Sequence, residues 1–264
     1  MSRATVCSMM VVLANLLAGC GGHARIEDPS VDRRGKDTTI TPQMAALAAD
    51  EQHVLDDMHA GRYGEAESLV DRELSNPRHG CYMALRKAEL LALRRHDSDA
   101  ESMYMQVLKG TYGAWHPNSA LLKQPFDLAV KLGRSADLDL LSTTIIANQA
   151  NLFGVDGSTL LTPTTGSTSA AREAYACLAL ALDASFNQDD VGQVNYCLQA
   201  QSLLPGDTLV LVHLAVAYHD RAQTGDLATA RSLLSRAFTQ AQAGSQLQSD
   251  IQAESNLLGI GALP

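Results

Sequence analysis

Aromatic residues are scarce in this chain of 264: they make up 5%, with a single tryptophan. A β-sandwich or barrel draws on aromatic and β-branched residues for its pleated faces, so this shortage argues against a strand-built core. Basic charge is also short, at 20 Lys and Arg against 29 Asp and Glu, for a formal net charge of −9. With no basic patch to neutralise phosphates, nucleic-acid binding is disfavoured. No metalloprotease helix signature occurs, nor a phosphate-cradling Gly loop with its Lys, nor a nucleophile elbow. His53 and His59 are six apart, as are His213 and His219. That spacing turns side chains about 240° apart on a helix, so neither pair shares a face for a metal. The expectation is a chain without enzymatic activity, cofactor or metal.

The strongest positive signal lies at the start. Arg3 precedes an apolar run from Val6 to Leu17, followed by Ala18, Gly19 and Cys20. A charged segment, a short apolar stretch and small residues are the layout of a secretory signal, too short for a permanent span. With cysteine directly after Leu17-Ala18-Gly19, the segment resembles the lipobox of bacterial lipoproteins; the alternative is an ordinary secreted protein with a chance cysteine. The resemblance implies a signal peptide over 1–19 and Cys20 as the acylated first mature residue. Two or three acyl chains anchor stably where one does not. Removing Arg3 leaves 19 basic residues against 29 acidic, near −10, so the body is repelled by anionic lipid rather than laid upon it. Gly21, which is not aspartate, leans toward the outer membrane in families that sort by this position, giving an expected place on its periplasmic face.

Residues 20–40 hold Gly21-Gly22, Asp28-Pro29-Ser30 and Arg33 to Thr39 with almost nothing apolar. Such a stretch cannot bury enough surface to fold alone, and reads as a flexible tether of about 25 Å. Beyond Thr41 the chain turns rich in Ala and Leu at three- and four-residue steps. The spacing predicts helices over 61–77, 80–94, 99–109, 119–132, 135–148, 170–186, 190–204, 208–221 and 226–242, joined by short turns. Helices joined so pack antiparallel.

Residue types recur at an interval of 34: Ala66 and Ala100, Val70 and Tyr104, Leu180 and Leu214, Ala181 and Ala215, Ala184 and Tyr218. The fullest copy has Leu211, Leu214, Ala215 and Tyr218 in one helix and Gly225, Leu227, Ala230, Leu234 and Ala237 in the next. This pattern resembles the tetratricopeptide repeat, a 34-residue helix–turn–helix, apart from three extra residues in the turn within Asp220 to Thr224. The earlier copy at Leu180, Ala181, Ala200 and Pro205 has Gln193 where a small residue is usual. The resemblance implies an all-α, TPR-like α-solenoid of antiparallel hairpins, four to five repeats over most of 45–242. A generic Ala-rich bundle is the competing architecture. N-terminal repeats would fill 41–150 and C-terminal repeats with a capping helix 170–264. Between them 151–169, rich in Gly, Pro, Thr and Ser, reads as a loop or linker, or as a plug that carries Leu160-Leu161 into the groove.

Arrays of this family bind ligands on the face formed by the first helix of each hairpin. Carried over, that face comprises Tyr82, Leu85 and Glu89; Tyr175, Leu178 and Leu182; and Leu209, Val212, His213, Val216 and His219. The last two helices are apolar nearly all round, so each face needs a cover. A peptide or amphipathic partner is one cover; the tail with Ile251, Leu257, Leu258 and Ile260, acting as an array cap, is the other. Cys177 and Cys197 flank the turn near Asn187 at nearly equal distances, so a hairpin brings them to one level. They are a possible disulfide, or two small apolar core residues. Asp56-Asp57 and Asp189-Asp190 sit beside turns and read as solvated or capping charge. Trp115 sits in a turn, packed over a helix end or exposed as a contact.

The functional expectation is a lipid-anchored envelope scaffold that binds a protein or peptide partner and supports assembly of a pilus, secretion or other envelope complex. The alternative is the regulatory subunit of a cell-wall-acting enzyme, or such an enzyme itself.

Overall fold

The computed structural model describes residues 42–75, 80–112, 119–152 and 168–264. Among these the chain is entirely helical, without a strand. The helices are α1 (Pro42–His59), α2 (Tyr63–Leu74), α3 (Gly80–Leu93), α4 (Asp97–Leu108), α5 (Ser119–Leu132) and α6 (Ser135–Leu152). They are followed by α7 (Ser169–Phe186), α8 (Asp190–Leu203), α9 (Thr208–Arg221), α10 (Asp226–Gln240) and α11 (Gln246–Leu257). The signal peptide, Cys20, the tether, Trp115 and the central linker with Leu160-Leu161 lie outside the described residues.

The chain divides into two compact units, with the break between Leu138 and Asp139, inside α6. In the first unit α1 to α5 pack in sequence, and α1 also reaches α3. The second has the same pattern: α7 to α11 pack in sequence, and α7 also reaches α9. Contact between neighbours and between alternate helices is what consecutive helical hairpins produce, and it is consistent with a helical repeat.

The hairpin turns share one geometry. Gly61, Arg95, Gly133 and Gln188 are left-handed, with φ of 74°, 65°, 66° and 59°. Each lies two residues before the second helix of its hairpin. In each, its own N–H bonds to the carbonyl three residues back, at 3.0–3.1 Å. The next N–H bonds five residues back, to Asp57, Leu91, Ala129 and Ala184, at 2.8–2.9 Å. This is the Schellman closure, which satisfies carbonyls that a helix end leaves without partners. Two of the four positions are glycine, the residue with no steric cost there. At Arg95 and Gln188 the paired hydrogen bonds hold a side-chain-bearing residue in the same conformation.

The α9–α10 turn departs from this pattern. Ala222 is left-handed (φ 52°), but α10 starts four residues later, after a second left-handed residue, Gly225. Interval 34 is thus written into the turns themselves, from Gly61 to Arg95, from Gln188 to Ala222 and from Gly225 to Gly259.

Small residues set the packing. In the first unit Ala84, Ala88 and Ala100 join Leu85, Tyr104, Val107 and Leu128 in one cluster, while Val54, Ala66, Val70, Met83 and Leu90 form another. Fully buried alanines let helix axes approach toward the short end of the usual ~8–10 Å. In the second unit Leu178, Leu180, Leu211, Leu214 and Leu234 are among the large fully buried side chains. Four helices there open on side-chain caps: Thr168 to Ala171 N, Asp189 to Gly192 N, Asp207 to Val210 N and Ser245 to Gln248 N. Asp189 is therefore the capping charge expected from sequence. Asp57 is neither solvated nor a cap: it is buried, and its Oδ1 accepts from Arg62 Nη2 at 2.6 Å, closing the α1–α2 turn.

Candidate functional site: the first-helix faces

Counting back from each left-handed turn residue places equivalent positions on the first helices. At 13, 9, 6 and 2 residues before Arg95 stand Tyr82, Arg86, Glu89 and Leu93, one stripe along α3. Tyr82 and Leu93 are 45% and 52% exposed, too open for core residues of their size. Between them Arg86 donates from Nη1 to Glu89 Oε2 at 2.6 Å and from Nη2 to Glu51 Oε1 of α1 at 2.7 Å. All three side chains are about one-fifth exposed. The stripe is thus a rigid polar centre with an apolar residue at either end, braced to the first helix of the preceding hairpin.

The same positions before Gln188 are Tyr175, Ala179, Leu182 and Phe186 on α7. Phe186 is half exposed, Tyr175 and Leu182 are partly buried, and Ala179 is covered. The Tyr175 hydroxyl donates to Asp207 Oδ2 at 3.2 Å, which ties α7 to the capping residue of α9. Burial, with Asp207 nearby, pushes the Tyr175 hydroxyl up from its ordinary range. On α9 the matching residues are Leu209, His213, Val216 and Asp220. Burial holds His213 neutral, with its pKa lowered to about 4.

Of the residues expected to line this face, eight keep some exposure: Tyr82, Glu89, Tyr175, Leu182, Leu209, Val212, His213 and His219. Leu85, Leu178 and Val216 are buried at 4%, 0% and 4% exposure. Those three belong to the packing between helices and offer nothing to a partner. Leu85, for example, sits among Cys81, Ala88, Tyr104 and Leu128. Arg86, Leu93 and Phe186 occupy the face and were missed; the signal that finds them is their fixed offset from the turn.

The possible disulfide is not formed. Cys81, Cys177 and Cys197 are all buried thiols. Burial, reinforced by Asp220, pushes the Cys197 thiol up to about 12, which suppresses the thiolate needed for exchange chemistry. Cys177 and Cys197 serve as small core residues, the other reading of the sequence.

Two further clusters of ionisable groups lie within single units. In the first unit Glu101 of α4 is buried and its carboxyl is raised by burial and by Asp137 of α6. Lys109 Nζ stands 3.3 Å from Asp137 Oδ1. In the second, His219 and Asp220 of α9 meet Glu254 of α11. The Asp220 carboxylate, 3.6 Å from His219 Nδ1, holds the imidazole above its ordinary range, aided by Glu254 and the Leu258 backbone. Burial raises the Glu254 carboxyl, and Asp220 raises it further.

The tail residues named as a cover fall in and after α11, which packs on α10. Ile251, Leu258 and Ile260 are buried; Leu257 is 36% exposed. Arg231 of α10 donates to the Ile260 carbonyl at 2.6 Å. No helix among the described residues is long and apolar enough to cross a membrane. No protein-family model, curated protein or solved structure matches this chain.

Proposed function

We propose that this chain is a lipid-anchored envelope scaffold that binds a protein or peptide partner along the first-helix faces of tetratricopeptide-like hairpins. The observation that supports the reading best is the α3 stripe. Its exposed Tyr82 and Leu93 flank the braced Arg86–Glu51–Glu89 centre. An exposed aromatic and an exposed leucine around a rigid, charged centre suit a peptide with apolar anchors either side of a polar residue. The repeated turn, with left-handed residues 34 apart, supports assigning the hairpins to a TPR-like solenoid. In this reading Cys20 carries the acyl chains and residues 20–40 hold the array off the periplasmic face of the outer membrane. The partner belongs to an envelope assembly of the pilus or secretion kind.

The direct test is a Tyr82→Ala/Leu93→Ala double variant expressed with its native leader. After cross-linking in intact cells, the wild-type chain should carry a partner adduct and the double variant should lose most of it, with circular dichroism unchanged. An adduct of equal intensity in the variant would remove the α3 stripe from the binding surface. Cys20→Ala should move the chain from the membrane to the soluble fraction and abolish labelling by a palmitate analogue. Retention of both would refute the anchor.

A further inference from the structure

Charge at the centre of the α3 stripe is unbalanced, and the imbalance has a sign. Arg86 is gripped from both sides: Nε and Nη2 donate to Glu51 Oε1 at 3.2 and 2.7 Å, and Nη1 donates to Glu89 Oε2 at 2.6 Å. Every nitrogen of the guanidinium thus already donates to a carboxylate. The second oxygens, Glu51 Oε2 and Glu89 Oε1, accept no hydrogen bond among the described residues. Two carboxylates against one guanidinium leave one negative charge in excess, on side chains about one-fifth exposed. Partial burial weakens solvent screening, so this charge acts more strongly than one on an open surface.

Neighbouring cations are committed elsewhere. Lys87 donates to Glu67 and Asp71 of α2 at 2.8 and 2.9 Å, and Arg94 is paired with the same Glu67. Arg95 stands in the turn past Leu93, outside the span between the two exposed anchors. At the same offsets from the other left-handed turn residues, the lysine or arginine found among the described residues is Lys131, bound to Asp97. Asp127, Asp220 and Asp250 occupy further places at these offsets. The first-helix positions of each unit are therefore acidic on balance, in keeping with the formal net charge of −9.

An anion brought to the α3 centre would meet two carboxylates and a guanidinium whose nitrogens are all engaged. A lysine or arginine side chain instead meets two acceptor oxygens, and the exposed Tyr82 ring stands one turn away as a cation–π partner. Spacing fixes the rest. Tyr82 and Leu93 lie about 16 Å apart along α3, and Arg86 and Glu89 lie about 6 and 10 Å from either end. An extended segment covers about 16 Å in five residues and about 6–10 Å in two or three.

Building on the reading of this face as the binding surface, we propose that the α3 stripe selects a basic segment of its partner protein. One lysine or arginine is held by Glu51 and Glu89, between apolar side chains five residues apart that pack on Tyr82 and Leu93.

Peptide display on the full-length chain tests this, with a hexapeptide library fixed as leucine at both ends and randomised between. Lysine and arginine at the third or fourth place should be enriched over glutamate. A synthetic Leu-Ser-Lys-Ser-Ser-Leu peptide should bind about tenfold more tightly than its glutamate counterpart. Glu89→Gln keeps an acceptor for Arg86 while removing the charge, so the lysine preference should fall about three- to tenfold with an unchanged melting curve. Glu51→Gln should do the same. Tyr82→Ala/Leu93→Ala should lose both peptides. Equal binding of the two peptides, or a lysine preference untouched by both glutamine variants, overturns the selection for a base; if binding is still lost in the double alanine variant, the face itself stands. Binding that survives the double alanine variant, or a library without enrichment, removes the face and the selection together.

Discussion

Replacing the turn residues separates the geometry of the hairpins from their contents. Gly61 and Gly133 are left-handed, and a Cβ built at either meets nothing within 4 Å. Alanine there therefore costs only its backbone strain, about 1–2 kcal/mol for an L-residue in this region. Part is recovered because alanine restricts the unfolded chain, by about 0.4–1 kcal/mol. The net expected loss is about 1 kcal/mol for Gly61→Ala and for Gly133→Ala. The mirror experiment runs the other way: Arg95→Gly and Gln188→Gly remove strain from residues at φ 65° and 59° and should stabilise, by less than about 1 kcal/mol. In urea unfolding followed at 222 nm, with a slope of about 2 kcal/mol/M, each alanine variant should lower the midpoint by about 0.5 M without changing the slope. If Arg95→Gly and Gln188→Gly cost as much stability as the alanine variants cost, the shared turn geometry is wrong.

Other outcomes follow from single groups. His213 is held neutral, with a pKa of about 4 against an unfolded value of 6.5, so its contribution to stability is intact above pH 6.5 and lost as pH falls toward 4. His213→Leu should remove up to about 3 kcal/mol of that acid loss, and a proton NMR titration placing this imidazole near 6.5 would refute it. Asp226 is lowered by its bonds from Arg221 and from the Gln223 backbone, so the α9–α10 turn should weaken below about pH 4. Asp226→Asn should show a flatter acid limb in the same unfolding assay, and an unchanged limb would count against the clip. Leu214→Ala, in the packed middle of α9, should cost about 2–5 kcal/mol, read as a lower urea midpoint; a loss under about 1 kcal/mol would mean the site is not close-packed. Intact mass after denaturation and alkylation without reductant should show Cys81, Cys177 and Cys197 all modified, and a pair missing two adducts would restore the disulfide.

How far the sequence carried is visible at particular residues. Apolar spacing located α7 to α10 to within two residues at either end, because Ala- and Leu-rich stretches leave no rival pattern. Glycine marked the turns at Gly61 and Gly133. Arg95 and Gln188 gave no such sign, since what holds them is a pair of backbone hydrogen bonds rather than a residue preference. On the first-helix face, the family pattern assigns Leu85, Leu178 and Val216 to partner binding although they are buried in the packing. Apolar type alone does not tell one side of an all-apolar helix from the other, whereas distance from the turn residue does. Asp57 and Glu254 were illegible for a different reason. Each owes its role to burial, and Glu254 also to groups 34 and 35 residues away in sequence, Asp220 and His219.

The central claim is that a partner lies against the first helices of the hairpins. Its most direct measurement is photo-cross-linking from single positions in native membranes, with a benzophenone amino acid at Tyr82 or Phe186, set against Glu65 of α2 and Arg236 of α10, exposed positions on second helices. The account predicts adducts to one protein from Tyr82 and Phe186 and none from Glu65 or Arg236. Equal adducts from both sets, or adducts from the second helices alone, would contradict it.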